Sequence, residues 1–266
     1  MKSESRLHAR DYISQLAGSG RYQFSSVEAQ AALGVSADAT KLALNRLAKQ
    51  GLVASPARGF YVIVPPEYRS LGCLPADQFI PALMKRFDLP YYAGLLSAAQ
   101  YHGAAHHRPQ EYQVMVGKSR RPIVCGAVRV VFIVRKDIKS IPVQNFNTPR
   151  GTVLVSTPEA TAVDLVGYAG NVGGLDQVAT ILGELAEALD PDKLVVAAKT
   201  APMPWAQRLG YLLVKVQAED RIGPLKSYVR QHARQAAVLL PNAPHTDAVR
   251  DEGWKLIINA DVEAEL

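Results

Sequence analysis

The sequence has few cysteines and no long apolar run. Only Cys73 and Cys125 occur among its 266 residues, without C-x-x-C spacing, which argues against a disulfide-stapled fold or a zinc ribbon. No run reaches the roughly 18 apolar residues of a membrane-spanning helix. The first ten residues, MKSESRLHAR, lack the apolar segment of a signal peptide. We therefore expect a cytoplasmic protein.

Recognisable catalytic and cofactor motifs are also lacking. His102, His106 and His107 have no cysteine or acid at metal-ligand spacing, and Gly103 interrupts the helix that would align the first two. Residues 117–119, Gly-Lys-Ser, imitate the end of a Walker A motif but lack its upstream glycine. No nucleophile elbow is present. We predict no metal, no cofactor and no catalytic residue.

A metal-dependent nuclease remains a less favoured alternative. Asp137-Ile138-Lys139 follows a predicted strand and imitates the D-x-K half of a nuclease core. The second acid would have to be Asp88 or Glu111, and neither lies clearly at a neighbouring strand end.

The feature that is present near the amino end is a helix-turn-helix pattern. Ser25 and Glu28 have capping-box spacing, so a short helix is predicted from Ser25 or Ser26 to about Leu33, with Gly34 as its stop. Ser36 caps a second, basic helix that Gly51 ends. Its predicted inward residues are Ala39, Ala43 and Leu47, and those predicted to project elsewhere are Thr40, Lys41, Asn45, Arg46 and Lys49.

A predicted β-hairpin follows and completes a winged helix-turn-helix. Its strands are residues 52–53 and 60–64, and its tip, residues 55–59, carries Arg58. The second helix of such a motif lies in the major groove of DNA. The residues predicted to reach base edges are Thr40, Lys41 and Asn45, and those predicted to hold phosphates are Ser36, Arg46, Lys49 and Arg58.

Charge and length fit a two-domain nucleic-acid-binding protein. The net charge is +6 and the pI about 9.3, and residues 1–64 hold eight lysines and arginines against four acids. Pro65-Pro66 is incompatible with a continuing strand, so we place a domain boundary there. The predicted domains are a winged helix-turn-helix at 1–64, a linker at 65–72 and a mixed α/β domain at 73–266. The fold class is α+β.

Periodicity and capping signals predict the remaining elements. The predicted helices are 5–17, 79–87, 95–102, 157–168, 175–189, 191–200, 204–216 and 225–234. The predicted strands are 113–116, 128–134, 152–155 and 254–258, of which 128–134 is apolar on both faces and therefore central.

A second basic patch is possible in the larger domain. Its members are Lys118, Arg120, Arg121, Arg135, Lys136 and Lys139. They are either solvated residues at strand ends and in loops, or a surface that grips nucleic acid by itself. The sequence leaves both open.

Several stretches resemble the AbiEi family, the antitoxins of bacterial type IV toxin-antitoxin systems. They are residues 91–99, 102–110, 156–162, 173–176 and 206–213. The resemblance implies a transcriptional regulator with an N-terminal winged helix-turn-helix that binds inverted repeats upstream of its own operon. It also implies a C-terminal domain that opposes a nucleotidyltransferase-like toxin without necessarily forming a stable complex. A clustered set is hypothesised to face a partner: Tyr91, Tyr92, His106, His107, Arg108 and Gln110.

Overall fold

The computed structural model describes residues 7–104, 110–244 and 246–264. The chain forms two compact units, and each is discontinuous in sequence. The first contains Met1–Tyr91, Gln110–Val134 and Asn145–Val153, and the second contains Tyr92–Pro109, Arg135–Gln144 and Leu154–Leu266. The predicted linker, residues 65–72, thus lies inside the first unit, and independent folding of residues 1–64 stays a prediction.

The amino-terminal elements alternate helices with short strands. They are α1 Ala9–Gly18, β1 Gln23–Ser25, α2 Ser26–Leu33, α3 Ala37–Lys49, β2 Val53–Ala57 and β3 Phe60–Ile63. The strands form an antiparallel sheet in the order β1-β3-β2. Helices α1 to α3 and this sheet make up the predicted winged helix-turn-helix. Strand β1 was not predicted, because three residues are too few for an alternation pattern.

The turn between α2 and α3 follows from local capping. Ser25 accepts a hydrogen bond from the Glu28 amide, and the Glu28 carboxylate accepts one from the Ser25 amide, so the capping box is complete. Gly34 ends α2 with φ of 60°, a conformation that costs glycine little. Ser36 then accepts from the Ala39 amide and opens α3. The predicted caps are confirmed.

Apolar side chains from both helices and strands fill the core of this segment. Phe24 is 2% exposed and stacks on Tyr61 at 5.6 Å between ring centroids. Tyr12 of α1 meets the same ring edge-on at 5.5 Å. Leu44 of α3 is completely buried. This packing fixes which face of α3 points inward and which remains outside.

Beyond residue 64 the chain contains further helices and strands. The helices are α4 Ala76–Arg86, α5 Leu95–Tyr101, α6 Pro158–Gly167, α7 Leu175–Leu185, α8 Pro191–Ala198, α9 Met203–Lys215 and α10 Gly223–His232. The strands are β4 Tyr91–Ala93, β5 Tyr112–Val116, β6 Ile123–Cys125, β7 Val128–Val134, β8 Val143–Thr148, β9 Gly151–Ser156, β10 Ala237–Val238, β11 Val249–Asp251 and β12 Leu256–Ile258.

In the first unit, the hairpin of β2 and β3 shares a core with α4 and with strands β5 to β7. Val62 and Val64 belong to one buried cluster with Leu74 and Phe79. Strand β7 pairs parallel with β5 and antiparallel with β6, which confirms that it has a neighbour on each side. The shared core is the physical reason why residues 65–72 do not separate two compact units.

In the second unit, helices pack at close range against large aromatic side chains. Strand β4 pairs parallel with β9 through Ala93 and Val155, and a sheet forms in the order β10-β12-β11. A Cβ placed on Gly210 of α9 would lie 2.0 Å from the Trp254 ring, so only glycine fits there. No helix among the described residues is long and apolar enough to cross a membrane.

Most predicted helices and strands occur within a few residues of the expected bounds, but several strands were missed. Thr157 caps α6 as predicted, by accepting from the Ala160 amide. The unpredicted strands are β1, β4, β6, β8, β10 and β11. Their lengths of two to six residues, often without apolar alternation, explain why the sequence pattern missed them.

Candidate DNA-binding surface

The outer face of α3 is an exposed, basic surface. Lys41, Asn45, Arg46 and Lys49 are all exposed there, as predicted. A shallow depression of about 510 Å³ is lined by Asn45, Arg46 and Lys49 together with Leu42 and Ala48. An amide beside three cations offers both hydrogen bonds for base edges and charge for phosphates.

Thr40 does not belong to this face. The prediction that it projects outward is wrong, because its side chain is 2% exposed and donates a hydrogen bond of 3.0 Å to the Ser36 carbonyl. The inward row is Thr40, Leu44 and Leu47, whereas Ala39 is only half-buried. Leucine at position 44 buries more apolar area than alanine at 43, and this rotates the helix by about one residue relative to the predicted face.

Leu42 also belongs to this surface, although the sequence pattern did not predict it. Its side chain is 59% exposed on α3 between the cations. A large apolar side chain in this position suits contact with a thymine methyl group. If positions 40, 44 and 47 are assigned to the buried face of α3, helical periodicity places Leu42 on the exposed face. The correct assignment of the buried face was therefore the signal that could have identified Leu42.

The two remaining predicted residues lie at turns. Ser36 is exposed at the start of α3, although its hydroxyl oxygen is engaged in the cap. Arg58 is exposed in a two-residue turn with Gly59, which has φ of 69°. The Ser55 hydroxyl holds this turn through bonds of 3.0 Å to the Ala57 and Phe60 carbonyls. The hairpin tip is therefore shorter than the predicted loop of residues 55–59.

One member of the predicted second basic patch is buried. Arg135 is 3% exposed, and its Nε donates to the Asp164 carboxylate at 2.9 Å, so its place in a surface patch is a wrong prediction. Lys118, Arg121, Lys136 and Lys139 are exposed. Arg120 is half-buried, with its guanidinium 4.0 Å from the centre of the Phe87 ring. Lys118, Arg120 and Arg121 belong to the first unit, whereas Arg135, Lys136 and Lys139 belong to the second.

Arg135 belongs to a buried polar cluster in the second unit. Besides its bond to Asp164, it donates to the Thr200 carbonyl at 3.0 Å and lies 5.0 Å from the centre of the Trp205 ring. The Tyr92 hydroxyl donates to the other Asp164 oxygen at 2.6 Å. Burial raises the pKa of Asp164, and the Arg135 charge acts against that shift. These contacts explain the buried cluster by the structure of the second unit, in which each charged group is paired.

Other residues singled out in the sequence have structural surroundings or lie outside the described ranges. The His102 Nε2 atom donates a hydrogen bond of 2.7 Å to the Ser156 carbonyl, and burial lowers the pKa of its imidazole. Within residues 7–104, 110–244 and 246–264, no group of three or more His, Cys, Asp or Glu is arranged to hold a metal. Tyr92 is 1% exposed, so the hypothesis that it faces a partner is wrong. His106, His107 and Arg108 lie outside the described residues, and Gln110 is exposed.

The described geometry defines a class of protein. Helices α1 to α3, the β1-β3-β2 sheet and the exposed basic face of α3 make this a winged helix-turn-helix protein. Residues 11–64 match the family model "Transcriptional regulator, AbiEi antitoxin", and residues 92–215 match "AbiEi antitoxin C-terminal domain". The chain therefore belongs to the AbiEi antitoxin family, and the resemblance seen in the sequence is confirmed.

One solved structure has the same fold as this chain. The RV2827C protein from Mycobacterium tuberculosis is 16% identical, with a TM-score of 0.65 over 98% of this chain and 94% of that chain. An antigenic nucleotidyltransferase-like protein from Paracoccidioides brasiliensis has 10% identity and a TM-score of 0.38 over 55% of this chain and 91% of that chain. The latter score is too low to indicate a common fold. A comparison with curated proteins found no match.

Proposed function

We propose that this protein represses its own operon by binding inverted repeats upstream of it. We further propose that it opposes a cognate nucleotidyltransferase-like toxin and has no catalytic activity of its own. The observation that supports DNA binding most directly is the exposed face of α3, where three cations and an amide surround Leu42. Membership of a family of antitoxins and transcriptional regulators supports both roles.

The side chains on α3 fall into two roles by chemistry. Lys41 and Asn45 reach base edges, and Asn45 suits bidentate bonding to adenine. Leu42 contacts a thymine methyl group. Arg46 and Lys49 neutralise phosphates, because both lie in the last turn of α3.

The phosphate contacts continue at the two turns that flank the motif. Arg58 projects from the hairpin turn toward the DNA backbone. Ser36 adds a hydrogen bond at the start of α3, made by its hydroxyl proton, since its oxygen already accepts from the Ala39 amide. Thr40 does not reach a base, because its side chain is buried.

The test of this arrangement compares Asn45→Ala with Lys49→Ala on the upstream region and on a random duplex. We expect Asn45→Ala to lose about 1–3 kcal/mol on the specific site only. Lys49→Ala should weaken both duplexes equally and reduce the slope of log affinity against log salt by about 0.9. Equal losses on both duplexes for Asn45→Ala would contradict its base-reading role.

The antitoxin role is tested by co-expression with the neighbouring nucleotidyltransferase-like gene. We expect the wild-type chain to restore growth, and Lys49→Ala to restore it equally when both variants are expressed from a foreign promoter. A toxin that is neutralised by wild type and not by Lys49→Ala would show that DNA binding is part of neutralisation. Absence of any rescue would refute the antitoxin proposal.

The alternative, in which a basic surface of the larger domain grips nucleic acid alone, loses support with the burial of Arg135. Lys136 and Lys139 remain exposed. If the alternative holds, Lys136→Ala/Lys139→Ala reduces binding to DNA or RNA at two salt concentrations while Lys49→Ala does not. Cleavage that depends on a divalent metal and on Asp137 would instead favour a nuclease.

A further inference from the structure

A basic cleft lies beside the hairpin turn of the first unit. Its volume is about 440 Å³, and residues of β1, α2, β3 and α4 line it. Arg21, Lys85 and Arg86 supply positive charge, and Glu28 is the acid in its lining. Lys85 and Arg86 are exposed at the end of α4, outside both regions that match the family models.

The charges of the cleft do not cancel internally. The Glu28 carboxylate forms an ion pair with Arg21. It also accepts a hydrogen bond of 2.7 Å from the Ser25 amide as part of the capping box. In the part of the chain that the structure describes, no ion pair is formed by Lys85 or Arg86. Two unpaired cations therefore remain at the cleft, and this favours an anionic occupant.

Arg86 lies directly beside the turn that carries Arg58. A Cβ placed on Gly59 would be 3.4 Å from the Arg86 Nη2 atom and 3.2 Å from the Ser26 hydroxyl oxygen. The Ser26 amide donates to the Gly59 carbonyl at 3.1 Å. Ser26 begins α2, and in helix-turn-helix proteins the helix before the recognition helix crosses the DNA backbone.

The helix dipole explains why cations occur in the last turn of α4. It does not explain why one of them lies against the hairpin turn that carries Arg58. A polyanion at this turn would meet two exposed cations, Arg58 and Arg86. The phosphate spacing of a DNA strand provides successive negative charges for such a contact.

We propose that Lys85 and Arg86 bind backbone phosphates of the duplex that α3 reads, so that the DNA interface extends past residue 64 into α4. The inference rests on the proposed function, because it assigns further contacts to the same DNA complex. It adds phosphate contacts and no base readout. At this cleft the DNA is therefore recognised by its charge and not by its base sequence.

The experiment measures binding of full-length protein to a fluorescent duplex of the upstream region and to a random duplex over a range of salt. Each lost phosphate contact should reduce the salt slope by about 0.9. If affinity near 1 M salt is unchanged, this corresponds to about fivefold weaker binding per contact at about 0.15 M salt. We expect Lys85→Ala/Arg86→Ala to lose about two such contacts, equally on both duplexes.

Arg230→Ala is the matched control, since Arg230 is also exposed in the last turn of a helix, α10. It removes one positive charge, as Arg86→Ala alone does, and should leave the salt slope unchanged. A loss for Arg230→Ala equal to that for Arg86→Ala would show a net-charge effect and overturn the proposal. Thermal unfolding of each variant verifies that the fold is intact, which is expected because the replaced side chains are exposed.

Two further outcomes separate this inference from the proposed function. If Lys49→Ala lowers the salt slope but the Lys85 and Arg86 variants do not, the inference fails and the proposed function stands. If the wild-type protein binds neither duplex, both fail. Titration with inorganic phosphate tests a free anion as occupant: phosphate binding that the double variant loses, with no change in its DNA slope, would overturn the assignment to DNA.

Discussion

Replacing Arg135 by methionine should destabilise the second unit strongly. The substitution keeps the apolar stem and removes the guanidinium. Asp164, which is 1% exposed, would then keep the Tyr92 hydroxyl at 2.6 Å but lose its counter-charge at 2.9 Å. The Thr200 carbonyl would also lose its donor at 3.0 Å. Removing one partner of a buried ion pair leaves an uncompensated charge in the interior.

The expected cost is about 3–5 kcal/mol of unfolding free energy. For a chain of this size, such a loss lowers Tm by roughly 10 °C. Lys136→Met is the matched control, because Lys136 is the next residue and is exposed. Its effect should stay within about 0.5 kcal/mol. Chemical denaturation followed by circular dichroism measures both.

The pH dependence gives a second signature. Burial raises the pKa of Asp164 in the wild type, and loss of Arg135 lets it rise further. When the pKa of an aspartate is higher in the folded state than in the unfolded state, where it is about 3.9, the folded state loses stability as the pH rises from the unfolded pKa to the folded pKa. The deficit of Arg135→Met relative to the wild type should therefore be smaller at about pH 5 than at about pH 8.

A double variant decides whether the ion pair is the cause. Arg135→Met/Asp164→Asn removes the stranded charge and should recover stability relative to Arg135→Met at pH 8, in a double-mutant cycle. A single-variant cost below about 1 kcal/mol, or a double variant no more stable than the single one, would refute the reasoning. So would equal deficits at both pH values.

Further predictions concern capping and close packing in the two units. Ser25→Ala should cost about 1 kcal/mol in unfolding free energy by removing the capping box. Thr40→Ala should cost about 1 kcal/mol and leave DNA sequence preference unchanged, because Thr40 is buried; altered base preference would contradict its placement. Gly210→Ala should destabilise by about 1–3 kcal/mol, because the new Cβ meets the Trp254 ring. Gly223→Ala is its control, since nothing lies within 4 Å there, and equal losses would contradict the packing argument.

The amino-terminal motif was predictable because its signals are local. Serine caps, a glycine with positive φ and a two-strand hairpin each involve groups within a few residues of one another. The helical phase of α3 was harder to predict. Ala43 and Leu44 are adjacent, and only packing against Phe24 and its neighbours decides that Leu44 points inward.

Burial of charged residues could not be predicted in the same way. Arg135 follows a strand and precedes Lys136, a pattern that is typical of a solvated strand end. It is buried because Asp164, 29 positions later, accepts its hydrogen bond. Pro65-Pro66 likewise has the composition of a linker, whereas residues on either side of it, Val64 and Leu74, enter one apolar cluster.

The sequence by itself determined where α2 and α3 begin and end and which family the chain resembles, because these depend on short-range hydrogen bonds and contiguous residues. Tertiary structure alone decided that Thr40 and Arg135 are buried, that Leu42 is exposed, and that Arg86 lies beside the hairpin turn. The physical reason is that burial and charge pairing depend on residues far apart in the chain, whose proximity is set by core packing.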